Sequence, residues 1–209
     1  MSPLKTKCLI VSGGDFAPLP APDADTLVIA CDRGYTYALR CGIKPDLIVS
    51  DFDSYDGPVD PAVPLRRLPT EKDDTDTMSA LRLALSEGFR DIRLVCALGG
   101  RLDHLLANLQ SLAFAAARGA SVRIESPDTE IRTLRNGSLR LPRREGYSLS
   151  VFAVDGVCRG LCIRGAKYTL EDAELRPDFP LGASNEWSAE EAEITLREGT
   201  LLIVESRIP

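Results

Sequence analysis

Two aspartates one residue apart close a short apolar run in Pro45-Asp-Leu-Ile-Val-Ser-Asp51-Phe-Asp53-Ser54. In extended backbone, residues i and i+2 point to the same side, so Asp51 and Asp53 would present two carboxylates together at a strand end. Such a pair suits a hard cation such as Mg²⁺, which takes one or two carboxylates and shares its other positions with substrate phosphates. A polar turn that only closes a strand has the same pattern. A second acidic cluster, Glu71-Lys72-Asp73-Asp74-Thr75-Asp76, precedes an apolar helical pattern of Met78, Leu81, Leu85 and Phe89. Asp74 or Thr75 would make a good N-cap there, and the helix dipole stabilises acidic first-turn residues by about 0.3–1 kcal/mol each. Capping requires one or two such residues. Asp73, Asp74 and Asp76 also repel one another, which a divalent cation or a basic neighbour such as Lys72 would relieve. Asp32, between Val-Ile-Ala-Cys31 and Arg33-Gly34, adds a third acidic position at the end of a strand-like segment.

The third feature is Ala97-Leu-Gly99-Gly100-Arg101-Leu-Asp103-His104-Leu-Leu-Ala-Asn108. Paired glycines after a strand let backbone approach a ligand closely, and the following helix N-terminus offers free N–H groups to phosphate oxygens. Arg101, His104 and Asn108 fall at i, i+3 and i+7 and share a helix face beside a leucine stripe, a pattern that simple amphipathicity also produces. Neither a G-x-x-x-x-G-K-[ST] loop nor a G-x-G-x-x-G fingerprint occurs.

The elements that must position these residues change character near residue 120. Cys8–Val11, Leu27–Cys31, Leu47–Val49 and Ile92–Ala97 read as buried strands, with helices at Arg33–Cys41, Thr75–Phe89 and Leu102–Arg118. That alternation predicts an α/β domain with a mostly parallel sheet, where ligands bind beyond the carboxyl ends of the strands. After Gly119, short alternating stretches take over at Ser121–Glu125, Ile131–Arg135, Ser148–Phe152 and Glu193–Arg197. Turn signals at Asn136-Gly137, Asp155-Gly156, Arg164-Gly165 and Glu198-Gly199 punctuate them. This predicts an all-β antiparallel sandwich or barrel. The expected domains are 1–125, α/β and carrying nucleotide and metal, and 126–209, all-β.

Composition narrows the chemistry. The 209 residues hold 31 Asp+Glu against 25 Lys+Arg, a formal charge of −6, and one histidine. A broad basic field for nucleic-acid phosphates is absent, and nothing in the charge favours anionic membranes. With His104 the only imidazole, multi-histidine zinc sites are excluded. The six cysteines sit mostly in or beside apolar runs, without a C-x-x-C pair, and read as small buried hydrophobes. The apolar run after Lys5 and Lys7 is broken by Ser12-Gly13-Gly14, too short for a signal h-region or a membrane span, so a cytoplasmic location is expected.

Taken in order, Asp32-Arg-Gly, Pro45-Asp-Leu-Ile-Val-Ser-Asp-Phe-Asp-Ser, Asp73-Asp-Thr-Asp and Gly99-Gly-Arg-Leu-Asp-His resemble the thiamine pyrophosphokinase family. Asp155-Gly-Val, Gly165-Ala-Lys-Tyr-Thr-Leu, Gly182-Ala-Ser-Asn-Glu-Trp187 and Glu198-Gly-Thr-Leu-Leu-Ile-Val are similar to its thiamine-side segments and closing strand. The likeness runs from about residue 8 to 206. Ser50 stands where the family often has glycine. The resemblance implies transfer of the diphosphate of ATP to the hydroxyl of thiamine, giving thiamine diphosphate and AMP, with Mg²⁺ required and a homodimer that builds the site at its interface.

On that resemblance Asp51, Asp53, Asp73, Asp74 and Asp76 are the metal candidates, and Asp51 and Asp76 the catalytic ones, with Asp76 the first choice for the hydroxyl proton. Asp32, Arg33, Gly34, Ser54, Lys72, Gly100, Arg101, Asp103, His104 and Asn108 would line the ATP site, with Arg101 and Lys72 screening charge. Thiamine is a flat aromatic cation. Trp187, flanked by polar residues, is expected to stack on it by a cation–π contact of roughly 0.5–2 kcal/mol, with Ser184 and Asn185 reaching the pyrimidine and Asp76 close by. The residues alone leave two other classes open: a different Mg²⁺-dependent phosphotransferase or hydrolase, and a non-catalytic nucleotide or vitamin sensor.

Overall fold

A computed structural model describes residues 4–51, 57–69 and 73–208. The chain divides into two compact units, Met1–Ser111 with Arg118–Pro127, and Leu112–Ala117 with Asp128–Pro209.

In the first unit β1 (Lys7–Val11), β2 (Thr26–Cys31), β3 (Leu47–Ser50), β4 (Leu65–Arg67), β5 (Asp91–Val95) and β6 (Ser121–Glu125) form a parallel sheet in the order β6-β5-β1-β2-β3-β4. The central strands are continuous apolar runs because both faces are covered; Leu9, Ile10, Ile29, Ile92 and Leu94 have no exposed surface. Helices α1 (Gly34–Arg40), α2 (Asp76–Ser86) and α3 (Leu102–Ala116) follow β2, β4 and β5. Thr75 caps α2, its hydroxyl accepting from the Met78 amide at 3.1 Å, and α2 buries Ala80, Leu81 and Ala84.

Two differences from the sequence reading appear here. Strand β4, only three exposed residues long, has no apolar signal and was not expected. Ser121–Glu125, read among the antiparallel strands, pairs parallel with β5 from Asp91↔Ser121 to Val95↔Glu125. Its alternating pattern reports half-burial, which a strand of a parallel sheet can also have.

The second unit is antiparallel: β7 (Thr129–Pro142), β8 (Tyr147–Ala153), β9 (Cys158–Arg164), β10 (Leu170–Leu175) and β11 (Glu191–Arg207). Strand β11 is its spine. It pairs with β7 from Glu191 to Leu196 and again from Thr200 to Ser206; its first part also meets β9 and its last part β8. The turn expected at Asn136-Gly137 is instead an irregularity inside two long strands. The β7–β11 register shifts between Leu196 and Thr200, and Asn136, at φ 45°, accepts the Gly199 amide on its Oδ1 at 2.9 Å. Turn residues facing each other on neighbouring strands form a bulge that redirects both. Leu141, Leu149, Val151, Leu161, Ile194, Leu201 and Ile203 make the core of this unit. All six cysteines are free, four of them buried.

Candidate active site

Because β1, β2, β3 and β5 are parallel, the loops that follow them emerge along one edge of the sheet. Those loops carry Ser12-Gly13-Gly14, Asp32-Arg33-Gly34, Asp51 and Gly99-Gly100. A cavity of about 140 Å³ opens there, lined by Ser12–Gly14, Cys31–Arg33, Thr75–Thr77, Gly99–Arg101, His104 and Asn108.

At this edge Asp32, Asp51 and Asp76 each bring a carboxylate oxygen within 4.8 Å of the others, the only such group of three among the described residues. All three are half-buried. Like charges so close disfavour ionisation, and the Asp32 carboxyl is pushed up to about 7: burial is the main cause, with the hydrogen bond that its protonated form donates to Asp76 and the charges of Asp76 and Asp51 adding to it. The Ser50 hydroxyl donates to Asp32 and opposes the rise. An all-oxygen, acidic set fits a hard divalent cation.

The glycines make the cavity possible. A Cβ on Gly14 would lie 2.7 Å from the Cys96 carbonyl oxygen and 2.6 Å from that of Leu98, and the Gly14 amide donates to Cys96 O at 2.8 Å. Gly99 and Gly100 adopt φ of 73° and 66°, open to glycine at no steric cost. Two glycine loops thus pack backbone against backbone beside the start of α3. Arg33 is held by the Gly13 carbonyl (3.0 Å), and Arg101 by a two-point pair with Asp103 (3.1 and 2.6 Å). Ser12 and Thr77, both buried, join their hydroxyls at 2.8 Å and tie the end of β1 to α2.

Residues 22–124 match the family model for the catalytic domain of thiamin pyrophosphokinase, and residues 137–201 that for its vitamin B1 binding domain. The chain belongs to the thiamin pyrophosphokinase family. As a member it is an enzyme of thiamine diphosphate formation. It is 29% identical over 209 residues to the thiamine pyrophosphokinase of Bacillus subtilis (strain 168), covering 94% of this chain and 97% of that one. The crystal structure of thiamine pyrophosphokinase from Bacillus subtilis superposes with a TM-score of 0.87 at 26% identity, over 97% of this chain and 100% of the other. That of thiamin pyrophosphokinase from Geobacillus thermodenitrificans gives 0.82 at 28%, over 96% and 97%.

Within this thiamin pyrophosphokinase fold the expected residues separate into groups. Asp32, Arg33, Asp76, Gly100, Arg101, His104 and Asn108 line the cavity. Asp32, expected to face nucleotide, stands with Asp51 and Asp76 among the candidate cation ligands. Asp74 is turned to Arg82, 2.5 Å away, and lines a different depression with Arg66 and Leu68; Asp73 is exposed, and neither joins the group of three. Gly34 acts in packing: a Cβ there would lie 2.1 Å from the Val11 carbonyl oxygen. Asn108, buried, donates to Ala97 O at 2.8 Å and ties α3 to the glycine turn. Asp53, Ser54 and Lys72 lie outside the described residues. Ser12-Gly13-Gly14 and Thr77 were missed as site residues. The Gly-Gly after β1 is the same signal as the Gly-Gly after β5, and it was read only as an interruption of an apolar run.

In the second unit Trp187 is 7% exposed and belongs to the core, its Nε1 donating to Leu141 O at 3.0 Å. This corrects the expectation that polar neighbours keep the indole out of the core: alternation in extended backbone turns Asn185 and Trp187 inward while Ser184, Glu186 and Ser188 stay exposed. Asn185 is also occupied. Its Nδ2 donates to Tyr168 O (2.7 Å), and its Oδ1 accepts from the amides of Tyr168 (3.0 Å) and Glu186 (2.9 Å). Ser184, at φ 57°, is exposed.

Proposed function

We propose that this enzyme transfers the diphosphate of ATP to the hydroxyl of thiamine, releasing AMP, at the cavity over the carboxyl ends of β1, β2, β3 and β5. The convergence of Asp32, Asp51 and Asp76 beside two glycine loops carries the reading. ATP is too anionic for an acidic cavity unless its charge is compensated, and the three carboxylates would hold Mg²⁺ for that purpose, with Asp53 a further candidate ligand. Bound there, Mg²⁺ supplies charge neutralisation and a template for the phosphates.

The chain's own groups do the rest. The backbone at Gly13-Gly14 and Gly99-Gly100 lets phosphates approach closely beside the start of α3. Arg33 and Arg101, each held by a neighbour, screen charge that develops on the transferred group. Lys72 is a further candidate for that role. Asp103 acts through Arg101: the guanidinium holds the Asp103 carboxyl below its ordinary range and is oriented in return. The catalytic task is mostly to keep the thiamine hydroxyl in line with the β-phosphorus. Asp76, at the head of α2, takes the proton of that hydroxyl on its carboxylate.

On the thiamine side, Ser184 is the residue available to touch the substrate. Asn185 and Trp187 act by fixing the loop that presents it. The enzyme works as a homodimer whose partner protomer supplies this loop. Phosphorus NMR of ATP, Mg²⁺, thiamine and the protein tests the activity: AMP appears in step with thiamine diphosphate, whereas ADP, or hydrolysis without thiamine, overturns the reading. Asp51→Asn is expected to lower kcat/KM by more than about 100-fold.

A further inference from the structure

Three carboxylates within 4.8 Å repel one another once ionised, and a side chain free to rotate would then turn away from the others. Something must hold them. Asp32 is fixed at its backbone, where a φ of 46° places it in the left-handed region and its carbonyl accepts the Tyr35 amide at 3.0 Å. Its side chain is fixed from the next strand. Ser50, the last residue of β3, has no exposed surface and donates its hydroxyl to Asp32 Oδ1. The donor itself cannot drift: Val49 is in register with Cys31 of β2, Ser50 with Arg67 of β4, and the Ser50 carbonyl accepts the Leu68 amide at 2.9 Å. A carboxylate oxygen that accepts one hydroxyl keeps a second lone pair, so the tether leaves Asp32 able to bind a cation.

We propose that Ser50 is a positioning residue, whose hydroxyl locks the Asp32 carboxylate in the orientation that completes the cation site with Asp51 and Asp76. The inference rests on the assignment of those three aspartates as cation ligands. Ser50 touches neither substrate. It acts as outer-shell hydrogen-bond donors to metal ligands do, by removing the reorganisation that binding would otherwise require.

The test is Mn²⁺ titration of cation-free protein without nucleotide, followed by the electron paramagnetic resonance signal of free Mn²⁺, on wild type, Asp51→Asn, Ser50→Ala and Ser50→Thr. Thermal unfolding in chelator checks that each variant is folded. Binding by wild type that Asp51→Asn abolishes establishes the site. Ser50→Ala is then expected to raise the dissociation constant about tenfold, with Ser50→Thr, which keeps the hydroxyl, recovering to within about threefold of wild type. In turnover, the apparent constant for Mg²⁺ rises in Ser50→Ala while the KM for thiamine does not follow. Should Ser50→Ala bind Mn²⁺ as wild type does, or a folded Ser50→Thr bind as weakly as Ser50→Ala, the positioning role is wrong although the cation site stands. Absence of any Mn²⁺ binding that depends on Asp51 overturns both.

Discussion

Asp32 is the residue at which the electrostatics of this enzyme concentrate. Its carboxyl, raised to about 7 mainly by burial, is largely protonated at pH 6 in the cation-free protein, and a bound divalent cation must displace that proton. Calorimetry of Mg²⁺ binding in buffers of different ionisation enthalpy should therefore show more protons released per site at about pH 6 than at about pH 8. Cation affinity should rise with pH through 7 and then level off. The stability sign runs the other way. The folded state holds this proton more tightly than the unfolded chain, whose carboxyl titrates near the ordinary 3.8. Between those two values the group's contribution to stability falls as pH rises, and above 7 it is flat. Asp32→Asn should remove that slope from the unfolding midpoint measured in chelator. Proton release independent of pH would refute the account.

At the scale of elements, the site is made by what the strands leave at their ends. Gly34 shows how little slack there is. It opens α1 with its Cα against the carbonyl of Val11, and a Cβ would sit 2.1 Å from that oxygen. Gly34→Ala should cost about 1–3 kcal/mol by urea unfolding, because a backbone atom, not a flexible side chain, has to move. It should also lower kcat/KM further than the stability loss explains, since Asp32 and Arg33 are carried on the same turn. The pattern of apolar runs made β1, β2, β3 and β5 legible in the sequence, and Thr75 with its following helix was legible from cap chemistry. Strand β4 was not, because three exposed residues carry no burial signal. The bulge at Asn136 and Gly199 was not either, because glycine and asparagine at positive φ serve turns and bulges alike.

For the whole molecule, the proposed reading has an acidic chain of net charge −6 handle an anionic substrate through carboxylates that would hold a cation, and Asp32, Asp51 and Asp76 gather at one edge of the parallel sheet. Among the described residues no helix is long and apolar enough to cross a membrane. The proposed sharing of each site between protomers has a direct consequence. Asp51→Asn disables the α/β side and Ser184→Trp the thiamine side, so each homodimer should be inactive. Mixing the two after reversible dissociation should restore up to about a quarter of wild-type activity, since half of the dimers are mixed and each mixed dimer regains one intact site. No recovery on mixing would place both sides of the site in one chain.

By itself the sequence determined the order of acidic and glycine motifs, the change from strand–helix alternation to short alternating strands near residue 120, and the family those motifs resemble. These are local properties, set by side-chain period, capping and turn chemistry. The tertiary structure decided which carboxylates meet. Asp32, Asp51 and Asp76 come from the ends of β2, β3 and the start of α2, while Asp74, two residues before Asp76, turns to Arg82. It also decided that Trp187 fills a core and that Ser50 reaches Asp32. Strand order and register bring Ser50 to Asp32 across 18 residues of chain, and no local periodicity encodes that pairing.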